Sequence, residues 1–417
     1  MDLAMRPAAP GTFGRVRLAV PGSASMVGLG IALLGVVGML FWYLSVSTIR
    51  LADMSDLGLV SVVPIWAYLG FVPIAGGFVA ALTWPSAPRW LAPALLIVVI
   101  LSLYGAVPWI EGTARFSPSW RHLGIIDYVT RHGAVNPAID AYHNWPGMFI
   151  VSSALQGLLD IRDLTPVALW APVLFSLAYL PALYLVFEAL VPDRRVIWLG
   201  ILIFYLGDWI GQDYFSPQAV GLFFYLVIVA VVVRWLIHPD AHRPALLPAG
   251  RRFHPRTLLA RLFARMGARD PMPADHVPPT TRVVLVGAIL AMFLFVVATH
   301  QLTPFFTIAA VGGLAVLRRM PWYGLSVVMG VIVAAWVAFA AVAFLVGHFQ
   351  NVAGYVGTLS ESLAANLTGR IQGSDGHRMM VLLRLGLTGA LWGLAGLGGL
   401  RRMRNGRWDV TAGALAL

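Results

Sequence analysis

The chain contains no cysteine and no lysine, and it has few charges of either sign. The lack of cysteine excludes disulfides, thiolate metal sites and cysteine nucleophiles. Only 11% of the 417 residues are charged, whereas a soluble globular chain carries roughly a quarter. Hydrophobic residues make up 59% of the sequence, and its mean hydropathy is +0.80. Such a chain cannot cover its surface with polar groups in water, so the composition indicates an integral membrane protein.

Because lysine is absent, all 29 basic side chains are arginines, and the formal net charge is +11. Most of them lie in short clusters between apolar runs, which is the distribution that sets topology in membrane proteins. No nucleic-acid partner is therefore expected. Arginines before the first apolar run predict a cytoplasmic N-terminus, and alternation of the spans places the other basic clusters on the same side. These clusters are Arg89, Arg194–Arg195, the loop 238–282, Arg318–Arg319 and Arg401–Arg402 with Arg404.

Apolar runs near the length that crosses a bilayer as a helix, about 20 residues, recur along the whole chain. They predict an all-α polytopic membrane protein with about 10–11 transmembrane helices, the eleventh beginning near residue 409. The runs at 196–207 and 303–317 are short, so we expect these two to be tilted, broken or extended by their neighbours. The ten complete runs are 26–49, 59–84, 90–109, 166–190, 196–207, 217–237, 283–299, 303–317, 322–347 and 379–400.

The spans and the polar segments between them divide the chain into four regions. The long basic loop holds the amphipathic stretch 256–267, which either lies on anionic lipid head groups or belongs to a solvated linker. The regions are 1–89, a cytoplasmic tail with two transmembrane helices; 90–237, a core with the outer loop 110–146; 238–282, the basic loop; and 283–417, the C-terminal helices with the outer loop 348–378.

The segment 110–146 is too polar to cross a membrane and too aromatic for a disordered linker. Within it Leu123, Ile126 and Val129 recur at three-residue spacing, which predicts a short amphipathic helix along the membrane surface. The apolar stretch 147–159 is too short to cross, so it predicts a second interfacial or re-entrant helix. Both helices are expected on the outer face.

The order of these elements resembles the GT-C class of polytopic glycosyltransferases over roughly residues 90–237. The resemblance is carried by "VPWIEG", then "SWRHLGIIDYVTRHGAVNP", then "YHNWPGMFIVSSALQGLLDI" and "LWAPVLFSLAYLPALYLVFEALV", and by "YLGDWIGQDYFSPQAVGLFFYLVIVAVVVRW". It implies a GT-C-like fold that transfers a sugar from a polyprenyl-phosphate donor to a glycan, lipid or protein acceptor. The expected location is the outer face of a bacterial plasma membrane, and many members of the class use a divalent cation, Mg²⁺ or Mn²⁺.

The resemblance also implies an acidic catalytic residue just after the helix that opens the first outer loop. Glu111 stands there, in place of the usual aspartate, and no second acid follows closely. Asp127 and Asp140 are the other candidates for the base that deprotonates the acceptor hydroxyl. Each has a structural alternative: Glu111 as an interfacial carboxylate, Asp127 paired with Arg131 at i+4, and Asp140 closing a turn with His143.

A second set of residues is expected to hold the donor phosphate. Arg384 lies inside an apolar run near its outer end, where an ionisable group is costly and marks a candidate functional site. Arg378 and His300 are further candidates, while Asp213 is the candidate metal ligand and ranks above Asp208 because it stands just before a helix. The alternatives are that Arg384 reaches the outer head groups and that His300 caps a helix.

Two other classes of protein have the same gross features. A secondary transporter or a lipid flippase is also polytopic with membrane-embedded charge, but it usually shows internal repeats and ionisable groups near the midplane. No clear repeat is present, and the conspicuous polar residues cluster at one face. A non-catalytic membrane assembly subunit is the third possibility, and it would tolerate neutral replacement of the outer acids.

Overall fold

The computed structural model describes residues 23–208, 213–237, 277–316, 320, 322–347 and 371–404. These residues form helices joined by turns and contain no strand. Six of the helices are long and apolar enough to cross a membrane. The predicted fold class is therefore confirmed: the protein is an all-α polytopic membrane protein.

Thirteen helices are numbered α1 to α13 in chain order, and residues 342–347 are also helical. A single π-helical segment follows α9 at Val232–Leu236, and another follows α12 at Trp336–Ala340. The helices are α1 Ser23–Val46, α2 Ile65–Thr83, α3 Leu91–Tyr104, α4 Ala106–Glu111, α5 Ser117–His132, α6 Gly147–Leu158, α7 Thr165–Leu190, α8 Arg194–Gly207, α9 Pro217–Val231, α10 Pro279–Thr299, α11 Thr303–Val316, α12 Tyr323–Ala335 and α13 Asp375–Arg404.

Each of the ten predicted spans coincides with a helix. Four of these helices (α3, α8, α11 and α12) have only 13 or 14 residues, which is about 21 Å of helix against roughly 30 Å of hydrocarbon. The third span is lengthened by α4, which follows α3 after the single residue Gly105. The predicted eleventh span lies outside the described residues, as do most of the basic loop and the residues 348–370 of the last outer loop.

Glycines let the first two helices approach closely. A Cβ atom on Gly38 would lie 2.4 Å from the carbonyl oxygen of Gly70, and one on Gly70 would lie 2.8 Å from that of Gly38. Small residues at such a contact allow main chains to pack in a bilayer, where burial from water no longer drives association. Substitution of either glycine would therefore separate α1 from α2.

The two largest of four apolar clusters form most of the interior. One joins α9, α10, α11 and α12 around Phe293, Ile289 and Val311. The other joins α1, α3, α7 and α8 around Tyr179, Leu96 and Ile201. Contacts between α7 and α9 connect the two clusters, so the ends of α3, α7 and α8 are held at fixed positions.

The predicted amphipathic helix is α5, and its pattern is confirmed. Ile126 and Val129 are buried together with Ile125, while Leu123 is partly buried. The helix ends at Gly133, whose positive φ of 62° forms the left-handed cap that glycine favours. It packs against α6, the predicted second short helix, and against α7. Residues 110–146 thus form a packed layer over one end of the bundle.

Candidate functional site

A cavity of about 260 Å³ opens where this layer meets the ends of the bundle helices. It is bounded by the end of α3, the α4–α5 connection, one face of α7, the residues that follow α8 and those that precede α9, and α13. The lining residues are Leu103, Tyr104, Val107, Thr113, Ala114, Arg115, Phe116, Ser119, Ala168, Leu169, Pro172, Asp208, Asp213, Tyr214 and Arg384.

Two carboxylates lie on this cavity because α8 ends and α9 begins beside it. Asp208 is the first residue after α8, and its backbone N–H donates to the carbonyl of Phe204. Asp213 opens the turn 213–216, which Ser216 closes by capping the first turn of α9. Asp213 is only 4% exposed, and its Oδ2 has no hydrogen-bond partner among the described residues.

Burial changes the acidity of both groups. It raises the pKa of Asp213 to about 7, and the neighbouring charge of Asp208 adds to the effect. Burial also raises the pKa of Asp208. A carboxyl group whose pKa lies near the working pH can accept a proton and release it again, which is what a general base requires. A perturbed acid in a cleft is also a recognised mark of a functional site.

Two arginines bring positive charge to the same cavity. Arg115 follows α4, and its Nε lies 3.5 Å from Oε1 of Glu111, the last residue of that helix. Arg384 comes from the third turn of α13, which reaches the cavity because α13 packs on α8. An arginine stays charged at any physiological pH and can pair with two phosphate oxygens at once. The cavity can therefore hold an anionic group beside a base.

The structure brings together two of the residues predicted from the sequence, Asp213 and Arg384. Glu111 is not among the lining residues. It forms an ion pair with Arg115, and Arg115 does line the cavity. Asp127 pairs with Arg131 on the exposed side of α5, in keeping with the structural alternative for that residue.

Asp140 also takes a structural part. Its carboxylate accepts a hydrogen bond from Nε of Arg121 at 2.5 Å and another from the backbone N–H of Tyr142 at 2.8 Å. The second bond caps the short helical turn Ala141–Asn144. Nδ1 of His143 accepts from the backbone N–H of Asn136 at 3.1 Å. Both side chains thus close the turn before Pro146, as the structural alternative predicted.

The remaining two predicted residues lie away from the cavity lining. Nδ1 of His300 accepts from the backbone N–H of Thr303 at 3.2 Å, so His300 caps α11. Burial lowers the pKa of His300 to about 4, which leaves its ring uncharged near neutral pH. Arg378 lies 3.8 Å from Asp375 in the first turn of α13 and lines a separate open groove along that helix.

Five polar residues of the cavity had no predicted role: Tyr104, Thr113, Arg115, Ser119 and Tyr214. Arg115 could have been found, because it stands four residues after Glu111, where a side chain continuing the helix would meet the carboxylate. Tyr104 gives no such signal, since it ends an apolar run. Its hydroxyl donates to the carbonyl of Tyr205 at 2.9 Å, which ties the end of α3 to α8 behind the carboxylates.

Proline shapes the wall that α7 contributes. Pro172 lies inside this helix and has no N–H, so the carbonyl of Ala168, four residues earlier, lacks its helical donor. Ala168, Leu169 and Pro172 all line the cavity. One backbone acceptor on this wall is therefore left out of the helical hydrogen-bond ladder.

The predicted divalent cation stays a prediction. Within the part of the chain that the structure describes, no three His, Asp or Glu side chains gather in a group that could hold a metal ion. Asp208 and Asp213 are the two acids that share the cavity. They alone do not make a complete site for Mg²⁺, which usually needs substrate phosphates and water as further ligands.

Comparison of the chain with protein-family models, with curated proteins and with solved structures found no match.

Proposed function

We propose that this protein is a membrane glycosyltransferase that moves a sugar from a polyprenyl-phosphate donor to a hydroxyl group of a glycan, lipid or protein acceptor. The proposal rests on one observation: two carboxylates, Asp208 and Asp213, and two arginines, Arg115 and Arg384, line the same cavity at the ends of apolar helices. Such a place suits a substrate whose chain lies in the bilayer and whose phosphate lies at its surface. The resemblance of residues 90–237 to the GT-C class supports the same reaction.

Asp213 is the base in this proposal. Its carboxylate takes the proton of the acceptor hydroxyl while the acceptor oxygen attacks the anomeric carbon of the sugar. The bond between that carbon and the phosphate oxygen breaks, and its electron pair leaves with the phosphate. The proton remains on Asp213 until it passes to solvent. The pKa near 7 lets Asp213 perform both halves of this cycle.

Arg115 and Arg384 stabilise the charge of the phosphate. Negative charge on the leaving phosphate grows as the glycosidic bond breaks, and fixed positive groups in a site shielded from water stabilise it strongly. Glu111 acts through Arg115 here, because its carboxylate holds the guanidinium at 3.5 Å.

The test is a transfer assay with purified protein in nanodiscs and a radiolabelled polyprenyl-phosphate sugar. We expect labelled sugar on the acceptor with the wild-type protein and none above background with the double variant Asp208→Asn, Asp213→Asn. The matched control is Asp127→Asn, an acid paired on the exposed side of α5, which should keep full activity. Equal transfer by wild type and double variant would refute the proposal.

A prediction about cations follows from the two arginines. We propose that their positive charge takes the place of the divalent cation that the GT-C resemblance implies, and we therefore expect transfer to stay within about twofold when divalent cations are removed. The measurement compares initial rates in EDTA with rates in excess Mg²⁺ or Mn²⁺. A loss of activity in EDTA that either metal restores would instead assign a cation to Asp208 and Asp213.

The orientation of the chain is a further prediction. We propose that the cavity faces the outer side of a bacterial plasma membrane and that the N-terminus is cytoplasmic, since the arginine clusters alternate accordingly. The absence of native cysteines makes labelling simple: single cysteines at positions 115 and 250 should react with an impermeant maleimide from opposite sides. Reaction of both from the same side would contradict this orientation.

A proton-coupled transporter is the second candidate, and Asp213 is the observation that favours it. A buried carboxyl group with a pKa of about 7 can bind and release protons during transport. An assay in proteoliposomes distinguishes the transporter from the glycosyltransferase. Acidification of the lumen that depends on Asp213 and on an added solute, without any sugar transfer, would support the transporter.

A further inference from the structure

One buried histidine ties the surface layer to the turn that carries Asp213. His122 lies on α5 and is 0% exposed. Its Nδ1 lies 2.7 Å from the carbonyl oxygen of Phe215. A carbonyl can only accept, so Nδ1 carries the hydrogen and donates it. Nε2 is then the unprotonated nitrogen, and it has no hydrogen-bond partner among the described residues.

Two further contacts hold the turn 213–216 against α5 and the residue before it. The ring of Tyr214 lies between Phe116, with centroids 5.2 Å apart, and His122, on which it stacks at 6.0 Å and 10°. The side chain of Phe215 packs into the apolar cluster that contains Ile125 of α5. The backbone of the turn is thus fixed against α5 one and two residues after Asp213.

The geometry points to His122 as a positioning residue that holds Asp213 in the cavity. This inference rests on the proposed role of Asp213 as the base. His122 is fully buried and does not line the cavity, so it acts through the turn and not on the substrate. Among the described residues, its hydrogen bond goes to the carbonyl oxygen of Phe215, two residues after Asp213.

The hydrogen bond from His122 to Phe215 forms with a neutral imidazole ring, the state that is expected near pH 7. Burial lowers the pKa of His122, and the charge of Arg121 beside it lowers it further, while the bond to Phe215 and the charge of Asp140 oppose this. The ring therefore stays uncharged near pH 7 with its single hydrogen on Nδ1. A charged ring would place a second N–H against Tyr142 and Phe149, whose rings contact it.

Three substitutions separate the hydrogen bond from the shape of the ring. His122→Asn keeps a donor close to the place of Nδ1, His122→Gln moves the donor to the place of Nε2, and His122→Phe keeps the ring without a donor. We expect transfer to fall by about tenfold in His122→Gln and His122→Phe and to stay within about threefold in His122→Asn, because one hydrogen bond is lost or kept. The matched control is His132→Phe. His132 lies on the same helix, and its Nδ1 contacts the carbonyl oxygen of Tyr128 and not the turn that carries Asp213.

The pH profile distinguishes positioning from a general loss of stability. If the turn loosens, water reaches Asp213, and the midpoint of the rise in rate should move from near pH 7 toward the ordinary range of an aspartate. His122→Gln and His122→Phe should show this shift, whereas His122→Asn and His132→Phe should not. An unchanged midpoint in the first two variants would overturn the inference. Should His122→Phe fail to fold, the comparison of His122→Gln with His122→Asn decides alone.

A second measurement does not depend on activity. In the cysteine-free chain, Asp213→Cys introduces a single buried thiol, and the rate of its reaction with a maleimide reports how often the turn opens. We expect this rate to rise about tenfold when His122→Gln is added and to stay unchanged with His132→Phe. Equal labelling rates in all three proteins would refute the positioning role. If labelling responds but Asp213→Asn retains transfer, the positioning stands and the proposed function fails.

Discussion

Replacing Asp213 with asparagine is expected to lower the rate of sugar transfer by about 10²–10⁴-fold, the usual contribution of a general base. Asparagine has nearly the same size and cannot take the proton of an acceptor hydroxyl. In the proposed mechanism the two arginines bind the donor phosphate, so the KM for the donor should change by no more than about threefold. Initial rates at varied donor concentration in nanodiscs measure both quantities.

The pH dependence gives the same prediction a second test. With the pKa of Asp213 raised to about 7, the wild-type rate should rise with pH through 7 as the carboxyl group loses its proton. The residual rate of Asp213→Asn should be flat over that range. Glu111→Gln is the informative comparison: if Glu111 were the base, that variant and not Asp213→Asn would lose the rise. A profile of Asp213→Asn that matches the wild type would remove Asp213 from the reaction.

The same substitution should make the protein more stable above neutral pH. The pKa of Asp213 is higher in the folded protein, about 7, than its ordinary value of 3.8. The protonated side chain therefore adds to the free energy of unfolding, fully so below about pH 4, and this contribution disappears as the pH rises through 7. It amounts to about 4 kcal/mol at most. Thermal unfolding of both proteins in detergent between pH 5 and 8.5 should show a decline for the wild type that Asp213→Asn lacks.

Replacing Arg384 with alanine is expected to lower kcat/KM by about 10- to 100-fold, which corresponds to one lost contact to a charged group. The phosphate is charged before and during the reaction, so part of the loss should appear as a higher KM for the donor and part as a lower kcat. A donor analogue with a neutral link in place of the phosphate should be bound equally by both proteins. Rates and binding in nanodiscs are the measurements.

Arg378→Ala is the matched control for this prediction. It removes the same type of side chain from the same helix, but Arg378 pairs with Asp375 and lies on a separate groove. Near-normal kinetics are expected for it. If Arg378→Ala and Arg384→Ala had equal effects, the loss would reflect the placement of α13 and not a contact to the phosphate.

The sequence predicted the helices well because their signals are local. The length of the apolar runs follows from the rise of a helix and the thickness of a bilayer. The α5 pattern follows from the 3.6-residue period, with Ile126 and Val129 buried as predicted. Six long helices and several short ones agree with the expected class. Because α8 and α11 are short, they can cross the bilayer only where it is locally thin or where neighbouring segments extend them.

The site was predicted only in part because it depends on contacts between distant segments. Asp213 and Arg384 were identified one at a time, from a helix start and a charge in an apolar run. Their shared cavity arises because α13 packs on α8 and because the turn before α9 lies beside the end of α8. The sequence ranked Asp208 below Asp213, yet both line the cavity. Burial of His122 could have been predicted from the same period, because His122 stands four residues before Ile126 and seven before Val129, on the buried face of α5.

The break in the hydrogen bonding of α7 has a consequence for how the cavity should be studied. The carbonyl of Ala168 lacks its helical donor because Pro172 follows four residues later, so one main-chain acceptor of this helix is open to a partner outside the helical ladder. Alanine scanning removes side chains and leaves such an acceptor untouched, so a scan would miss any contribution of this carbonyl to the proposed binding of a sugar. Pro172→Ala would change it, because the new N–H can complete the helix and withdraw the carbonyl from any ligand.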